Sequence, residues 1–358
     1  MALTVEVALA EENLKILMVT SEVVPFAKAG GLGDMVAALS SELSKQGHDV
    51  RIVLPRYYSV DLGRLQRVGG TLGVPLGTDE EWCAVYGGRL PDGEVKVYFL
   101  DHQELYGRDG IYGTKSEPSF PDNLRRFALL SRGAFQLCRS LDWIPDIMHA
   151  HDWPAAIVPV SLKTRESEGL FAGTGSMLTI HNLGHQGVFP AEEFVHLPLA
   201  PELYHSAGFE SPDGINLLQA GLENADVLTT VSLTYAEEIQ TPEFGCGLDA
   251  LLRRRRKDLY GVLNGMDYDI WNPETDLHIP ANYSHRNLDG KSVNKEALQR
   301  AFGLPVDPEV PLVAMVSRLA DQKGFGELCG PTHGSLFSIC DDFKLQFVIL
   351  GTGDAWCE

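Results

Sequence analysis

The stretch that most limits the fold is 15–55. Ile16-Leu17-Met18-Val19 is a short, unbroken apolar run, and Val50-Arg51-Ile52-Val53-Leu54 is a second. Such runs read as strands buried on both faces, the pattern of a parallel sheet rather than of a half-exposed one. Between them Met35, Leu39 and Leu43 recur every four residues, which predicts a helix ended by Gly47, and Pro55 stops the second strand. Lys28-Ala29-Gly30-Gly31-Leu32-Gly33-Asp34 stands where the first strand turns into the helix. Glycines there admit a ligand to the backbone, and the free N–H groups of a helix start favour anionic oxygens, with Lys28 adding a mobile charge. A turn that needs glycine for steric reasons accounts for Gly30, Gly31 and Gly33 equally well. The dinucleotide glycine pattern is incomplete, and Pro55-Arg56 stands where a ribose-binding acid would end the second strand. A nicotinamide enzyme is therefore disfavoured.

The same grammar continues downstream. Val95-Lys96-Val97-Tyr98-Phe99-Leu100, Asp146-Ile147-Met148-His149-Ala150, Met177-Leu178-Thr179-Ile180 and Asp226-Val227-Leu228-Thr229-Thr230-Val231 all read as strands, with His149 a buried strand histidine. Asp122 is placed to cap a helix on which Leu124, Phe127, Ala128, Phe135 and Cys138 share a face. Pro154 suits a first helical turn and Ser232 a cap. Alternating strands and helices predict an α/β fold with a parallel sheet, whose ligands bind beyond the carboxyl ends of the strands. Lys28, His151, Asp152, His181 and Asn182 all fall there. The segment 107–121, punctuated by glycine and proline, is long enough to be a working loop.

A length of 358 residues predicts two domains. The break falls near 259–265, giving domains 1–261 and 262–358. Ahead of it Arg253-Arg254-Arg255-Arg256-Lys257 reads as the solvated end of a helix. Beyond it only Val313-Ala314-Met315-Val316 and Leu345-Gln346-Phe347-Val348-Ile349-Leu350 read as strands, the second leading into Gly351-Thr352-Gly353-Asp354. Two strands do not enclose a doubly wound core, so the second domain reads as truncated. A formal charge of −20 argues against nucleic acid or an anionic membrane as partner. Six scattered cysteines with no Cys-x-x-Cys fit a reduced, cytoplasmic setting. Residues 1–13 lack the basic start of a signal peptide, and no apolar run reaches membrane-spanning length.

Taken together, the motifs resemble the bacterial glycogen synthases and plant starch synthases. The matching pieces are Lys28 through Asp34, His149-Ala150-His151-Asp152-Trp153, Thr179-Ile180-His181-Asn182-Leu183 and Gly261-Val262-Leu263-Asn264-Gly265, followed by Ser317-Arg318-Leu319 and Gln322-Lys323-Gly324. The resemblance implies the GT-B fold, two Rossmann-like domains facing across a cleft, the first on the acceptor side and the second on the nucleotide-sugar side. It implies transfer of glucose from ADP-glucose to the non-reducing end of an α-1,4-glucan with retention, without metal or cofactor. Lys28, Arg318 and Lys323, with the backbone at Gly30 and Gly31, would then hold the diphosphate. Asp152, His181 and Asn182 would contact the donor sugar, Tyr112 would be the family's loop tyrosine, and Asn264 would lie at the domain junction. The family's second domain also continues into a Glu-Pro-Cys-Gly-type segment whose glutamate contacts the transferred glucose, and no counterpart occurs here. The expectation is a fragment of the full enzyme, with a catalytically silent carbohydrate- or nucleotide-binding remnant as the alternative.

Overall fold

The computed structural model describes residues 13–197, 199–330, 334–353 and 356–357, so the expectations placed on 1–12 and on Asp354 lie outside the described residues. The chain divides into two compact units, Met1–Gly265 and Met266–Glu358. In the first unit the strands are β1 (Lys15–Val19), β2 (Asp49–Pro55), β3 (Gln66–Arg67), β4 (Leu72–Leu76), β5 (Asp79–Arg89), β6 (Lys96–Asp101), β7 (Ile147–His151), β8 (Gly175–Ile180), β9 (Val188–Phe189), β10 (Glu210–Ser211), β11 (Gly214–Asn216), β12 (Val227–Thr230) and β13 (Leu259–Gly261). The main sheet runs β13-β12-β8-β7-β1-β2-β6-β5-β3, with β4 on β5. From β13 to β6 every pairing is parallel; β5 adds an antiparallel edge. Strands β9, β10 and β11 form a small antiparallel sheet of their own.

Continuous apolar runs make sense here because both faces of the sheet are covered. Along β1 the side chains alternate between two cores. Leu17 and Val19 join the cluster that holds the helices Asn123–Ser140 and Ile157–Lys163. Ile16 and Met18 join the one beneath Leu32 and Val36 of the helix Gly31–Lys45. Met35, Leu39 and Leu43 pack against that second core, as their spacing predicts.

The chain moves outward from β1 through β2 to β6, then returns to place β7 on the other side of β1. The connections from β1 and from β7 consequently leave to opposite faces, and a crevice opens between the two carboxyl ends. This reversal point is where open α/β sheets bind their ligands.

Ser232 caps its helix, accepting from the Tyr235 amide at 3.3 Å. Asp122 occupies the N-cap position of the helix Asn123–Ser140 without a side-chain cap bond, and its Oδ2 pairs with Arg108 instead. The basic run is a solvated helix end only in part. Arg255 turns back to the carbonyls of Leu222, Glu223 and Ala225 and to Asp258, tying that helix to its neighbour.

In the second unit β14 (Leu312–Val316) and β15 (Gln346–Leu350) form a two-stranded parallel sheet. Val348 is buried, yet Val316, Phe343 and Leu350 stand more than half exposed. No helix among the described residues is long and apolar enough to cross a membrane.

Candidate functional site

Three neighbouring strands, β1, β7 and β8, deliver residues just past their ends to the reversal point: Ser21-Glu22, Asp152 and His181-Asn182. Asp152 follows β7 and continues the ladder, donating its amide to Thr179 O at 2.9 Å. It then turns at φ 54°, ψ −170°, a region almost reserved for glycine and costing a side-chain-bearing residue about 1–3 kcal/mol. The carboxylate offsets that strain. Its Oδ1 accepts from the His181 amide at 2.7 Å and the Asn182 amide at 3.4 Å, fastening the turn after β8 to the turn after β7. Asp152 precedes the 3-10 turn Trp153–Ala155, which carries Pro154 in its first turn, but its side chain makes no cap bond to that turn. Burial pushes its carboxyl up to about 7, the two amides pull it back, and the charge of Glu22 adds to the rise.

Behind this turn runs a row of imidazoles. His149 Nε2 lies 2.6 Å from Thr179 Oγ1, itself 2.6 Å from Thr229 Oγ1. The His149 ring stacks on His151 with centroids 4.2 Å apart, and His151 Nδ1 is 3.2 Å from His181 Nε2. Burial holds all three rings neutral: His149 falls to about 3, His181 to about 4 and His151 well below the ordinary imidazole value. His149 is the buried strand histidine its sequence position predicts.

Glu22, almost fully buried, organises the glycine loop. Its Oε2 accepts from the amides of Ala29 at 2.6 Å and Gly30 at 2.9 Å, while Oε1 accepts from the Tyr112 hydroxyl at 2.8 Å. The loop amide of Gly30, expected to be free for an anion, is therefore already taken by the chain's own carboxylate. Gly30 and Gly31 are nevertheless not demanded by packing, since a Cβ at either would meet nothing within 4 Å. At Gly33 it would sit 3.2 Å from the Ala27 carbonyl and 3.4 Å from Glu22 Cβ. Gly33 is thus a packing glycine, and the space over Gly30 and Gly31 is open. Lys28 pairs with Asp34 at 2.7 Å, both side chains about half exposed; such a pair contributes little and is readily exchanged.

Tyr112 sits in the long loop, its hydroxyl also 2.7 Å from Ser21 Oγ and its ring tilted against Phe127 and Trp153. The loop is held from below by Arg126, fully buried, which donates to the carbonyls of Leu105 and Ile111 and to Asn123 Oδ1. Aromatic rings, Phe120 and Phe127 among them, surround the guanidinium. Beside Trp153 an open pocket of about 340 Å³ is lined by Ser119, Trp153 and residues 184–189. In the first unit the structure thus joins Asp152, His181 and Asn182 directly, and reaches Tyr112 and Gly30 through Glu22. Asn264 is exposed in the irregular segment that ends this unit. Arg318 and Lys323 belong to the second unit, exposed after β14, and their side chains make no hydrogen bond or ion pair among the described residues.

A family model for the starch synthase catalytic domain matches residues 15–254. The chain belongs to the starch synthase catalytic-domain family. It is 52% identical over 345 residues to a glycogen synthase of Treponema denticola, covering 96% of this chain and 70% of that relative. Glycogen synthase 1 of Geobacter metallireducens is 46% identical over 349 residues, covering 96% and 68%. Among solved structures, the catalytic domain of starch synthase IV from Arabidopsis thaliana, bound to ADP and acarbose, matches with TM-score 0.85 at 30% identity. That match covers 95% of this chain and 69% of the other. The α/β architecture, with its mostly parallel sheet, is accordingly of the GT-B class.

For this family member Glu22 and Trp153 are site residues that the sequence pattern does not single out, and His151 is one that it places at the strand ends without a role. A signal for Glu22 was present: it lies three residues beyond the carboxyl end of a parallel strand, close to such an end as Asp152 and His181 are, each one residue beyond theirs. Nothing in the sequence indicates that its carboxylate folds back on the glycine loop.

Proposed function

We propose that this chain carries the glucosyl-transfer site of glycogen synthesis, moving glucose from ADP-glucose to the non-reducing end of an α-1,4-glucan with retention. The observation that carries the reading is the joining of Asp152, His181 and Asn182 at the sheet's reversal point, next to a glycine turn with open space above it. Glycosyl transfer from a nucleotide sugar must stabilise a departing diphosphate and an oxocarbenium-like sugar. In this reading Lys28 leaves Asp34 for the diphosphate, and Gly31 supplies the remaining loop amide, since Glu22 holds those of Ala29 and Gly30. In the second unit Arg318, as a fork, and Lys323, as a point charge, are the groups suited to a diphosphate. His181 and Asn182 contact the donor sugar. Asp152 has committed Oδ1 to two amides, so its main part is to shape the turn, with Oδ2 left for a hydroxyl. Tyr112 and Trp153 offer aromatic surface beside the pocket, a suitable place for the glucan, and Asn264 marks the junction between an acceptor domain, 1–261, and a nucleotide-sugar domain, 262–358.

The test is incubation of the chain with ADP-glucose or UDP-glucose and glycogen, following nucleotide release and digesting the product with an α-1,4-specific glucanase. ADP-glucose is expected to be the better donor and the new linkage to be digested. Lys28→Gln should lower turnover while leaving the melting temperature in place, because Lys28 lies on an exposed turn. Arg318→Ala or Lys323→Ala should each weaken ADP binding by about 1.5–3 kcal/mol. Preference for UDP-glucose, or wild-type turnover by Lys28→Gln with wild-type ADP affinity in both other variants, would overturn the assignment.

A further inference from the structure

We propose that His151 is a positioning residue that fixes the tautomer of His181, so that His181 offers a protonated Nδ1 to the donor sugar. The second half of this statement rests on the glucosyl-transfer reading above; the first half does not. His151 is fully buried as the last residue of β7, and its ring is clamped against His149. His149 is itself held through Thr179 and Thr229. His151 Nδ1 faces His181 Nε2 at 3.2 Å, and one hydrogen lies between them. The direction of that bond follows from the far side of the His151 ring. Nε2 of His151 is buried and has no hydrogen-bond partner among the described residues.

If His181 donated, the single hydrogen of neutral His151 would sit on Nε2, burying an N–H with no acceptor. If His151 donates from Nδ1, Nε2 carries only a bare lone pair. Buried N–H groups without acceptors are the rarer and costlier case, so the second arrangement holds. His181 Nε2 is then an acceptor, and a neutral His181 must carry its hydrogen on Nδ1. That nitrogen takes no hydrogen bond among the described residues and is not sealed from solvent. The ordinary preference of an imidazole in water is the opposite, with hydrogen on Nε2. His151 therefore changes what His181 can do: Nδ1 becomes a donor to a sugar hydroxyl oxygen. A residue that only filled core volume would set no such preference.

The experiment uses the full chain labelled with ¹⁵N-histidine and long-range ¹H–¹⁵N correlation, the His181 signals being assigned by their loss in His181→Asn. Wild-type His181 is expected in the Nδ1–H form. In His151→Leu it should revert toward the Nε2–H form. In His151→Asn, whose side-chain nitrogen lies close to the place of imidazole Nδ1, the Nδ1–H form should return. Transfer should follow the same order, with kcat down about 10-fold in His151→Leu, the worth of one hydrogen bond, and largely recovered in His151→Asn. An Nε2–H form in the wild type overturns the proposal even if no variant folds. So does a His181 tautomer that is unchanged in folded His151→Leu. Should the tautomers respond as expected while the wild type transfers no glucose from any donor, the positioning by His151 stands and the glucosyl-transfer reading falls.

Discussion

Acidification should destabilise the first unit steeply, and one substitution should remove a known part of the slope. His149 and His151 are buried and His181 partly so, with pKa values lowered from 6.5 to about 3, to well below 6.5, and to about 4. Near pH 5 the folded protein keeps all three neutral, whereas the unfolded chain protonates them, so unfolding takes up about three protons. Asp152 works the other way. Its carboxyl is raised from 3.8 to about 7, so the folded state holds a proton that the unfolded state releases. Its contribution is full below 3.8 and is lost as pH rises through 7. The cluster therefore binds about two more protons when unfolded, and stability should rise by roughly 2.7 kcal/mol per pH unit near pH 5, easing toward pH 6 as the unfolded histidines begin to lose their protons. Through pH 6.5 the unfolded histidines still outweigh the single proton on Asp152, and both contributions are exhausted about one unit higher, so this cluster's stability should level off at roughly pH 7.5. His151→Asn removes one proton from the count and should flatten the slope by roughly 1.4 kcal/mol per pH unit; Asp152→Asn should steepen it by as much. Urea unfolding followed by tryptophan fluorescence at several pH values in that window gives both slopes, since Trp143 and Trp153 report on the first unit. A His151→Asn protein that unfolds reversibly with the wild-type slope would refute the reasoning, because it would mean that His151 is protonated alike in both states.

Glu22→Ala should cost about 1–3 kcal/mol, the worth of the buried Tyr112 bond, because the amides of Ala29 and Gly30 belong to exposed residues that water can reach. Glu22→Gln should cost less, its oxygen facing the two amides and its nitrogen donating to Tyr112, whose hydroxyl turns to Ser21; thermal unfolding of both variants checks the order. Arg126→Met leaves three carbonyl-type acceptors without their donor, so a loss of at least about 3 kcal/mol is expected. Limited proteolysis should then cut first within 107–121, and a loop as resistant as the wild type would count against Arg126 as its anchor.

The layered α/β plan is legible in the order of the residues alone. Both faces of the sheet are covered, so its strands must be apolar along their whole length, and that leaves a mark at consecutive positions: Ile16 through Val19, and Val50 through Leu54. The helix spacing of Met35, Leu39 and Leu43 is written in the same local code, as is the placing of Asp152, His181 and Asn182 just past strand ends. What each of these residues binds was decided only by the tertiary structure. Glu22 reaches Tyr112 across 90 positions and His151 meets His181 across 30. Such pairs arise from the order of strands in the sheet, β8 beside β7 beside β1, which no local periodicity encodes. The same holds for Asp122, which has the position of a cap and the side chain for one, yet gives its carboxylate to Arg108. A local rule names the groups that need partners; the crossing of the chain from one side of β1 to the other brings a particular partner within hydrogen-bond distance, and burial then makes that choice costly to reverse.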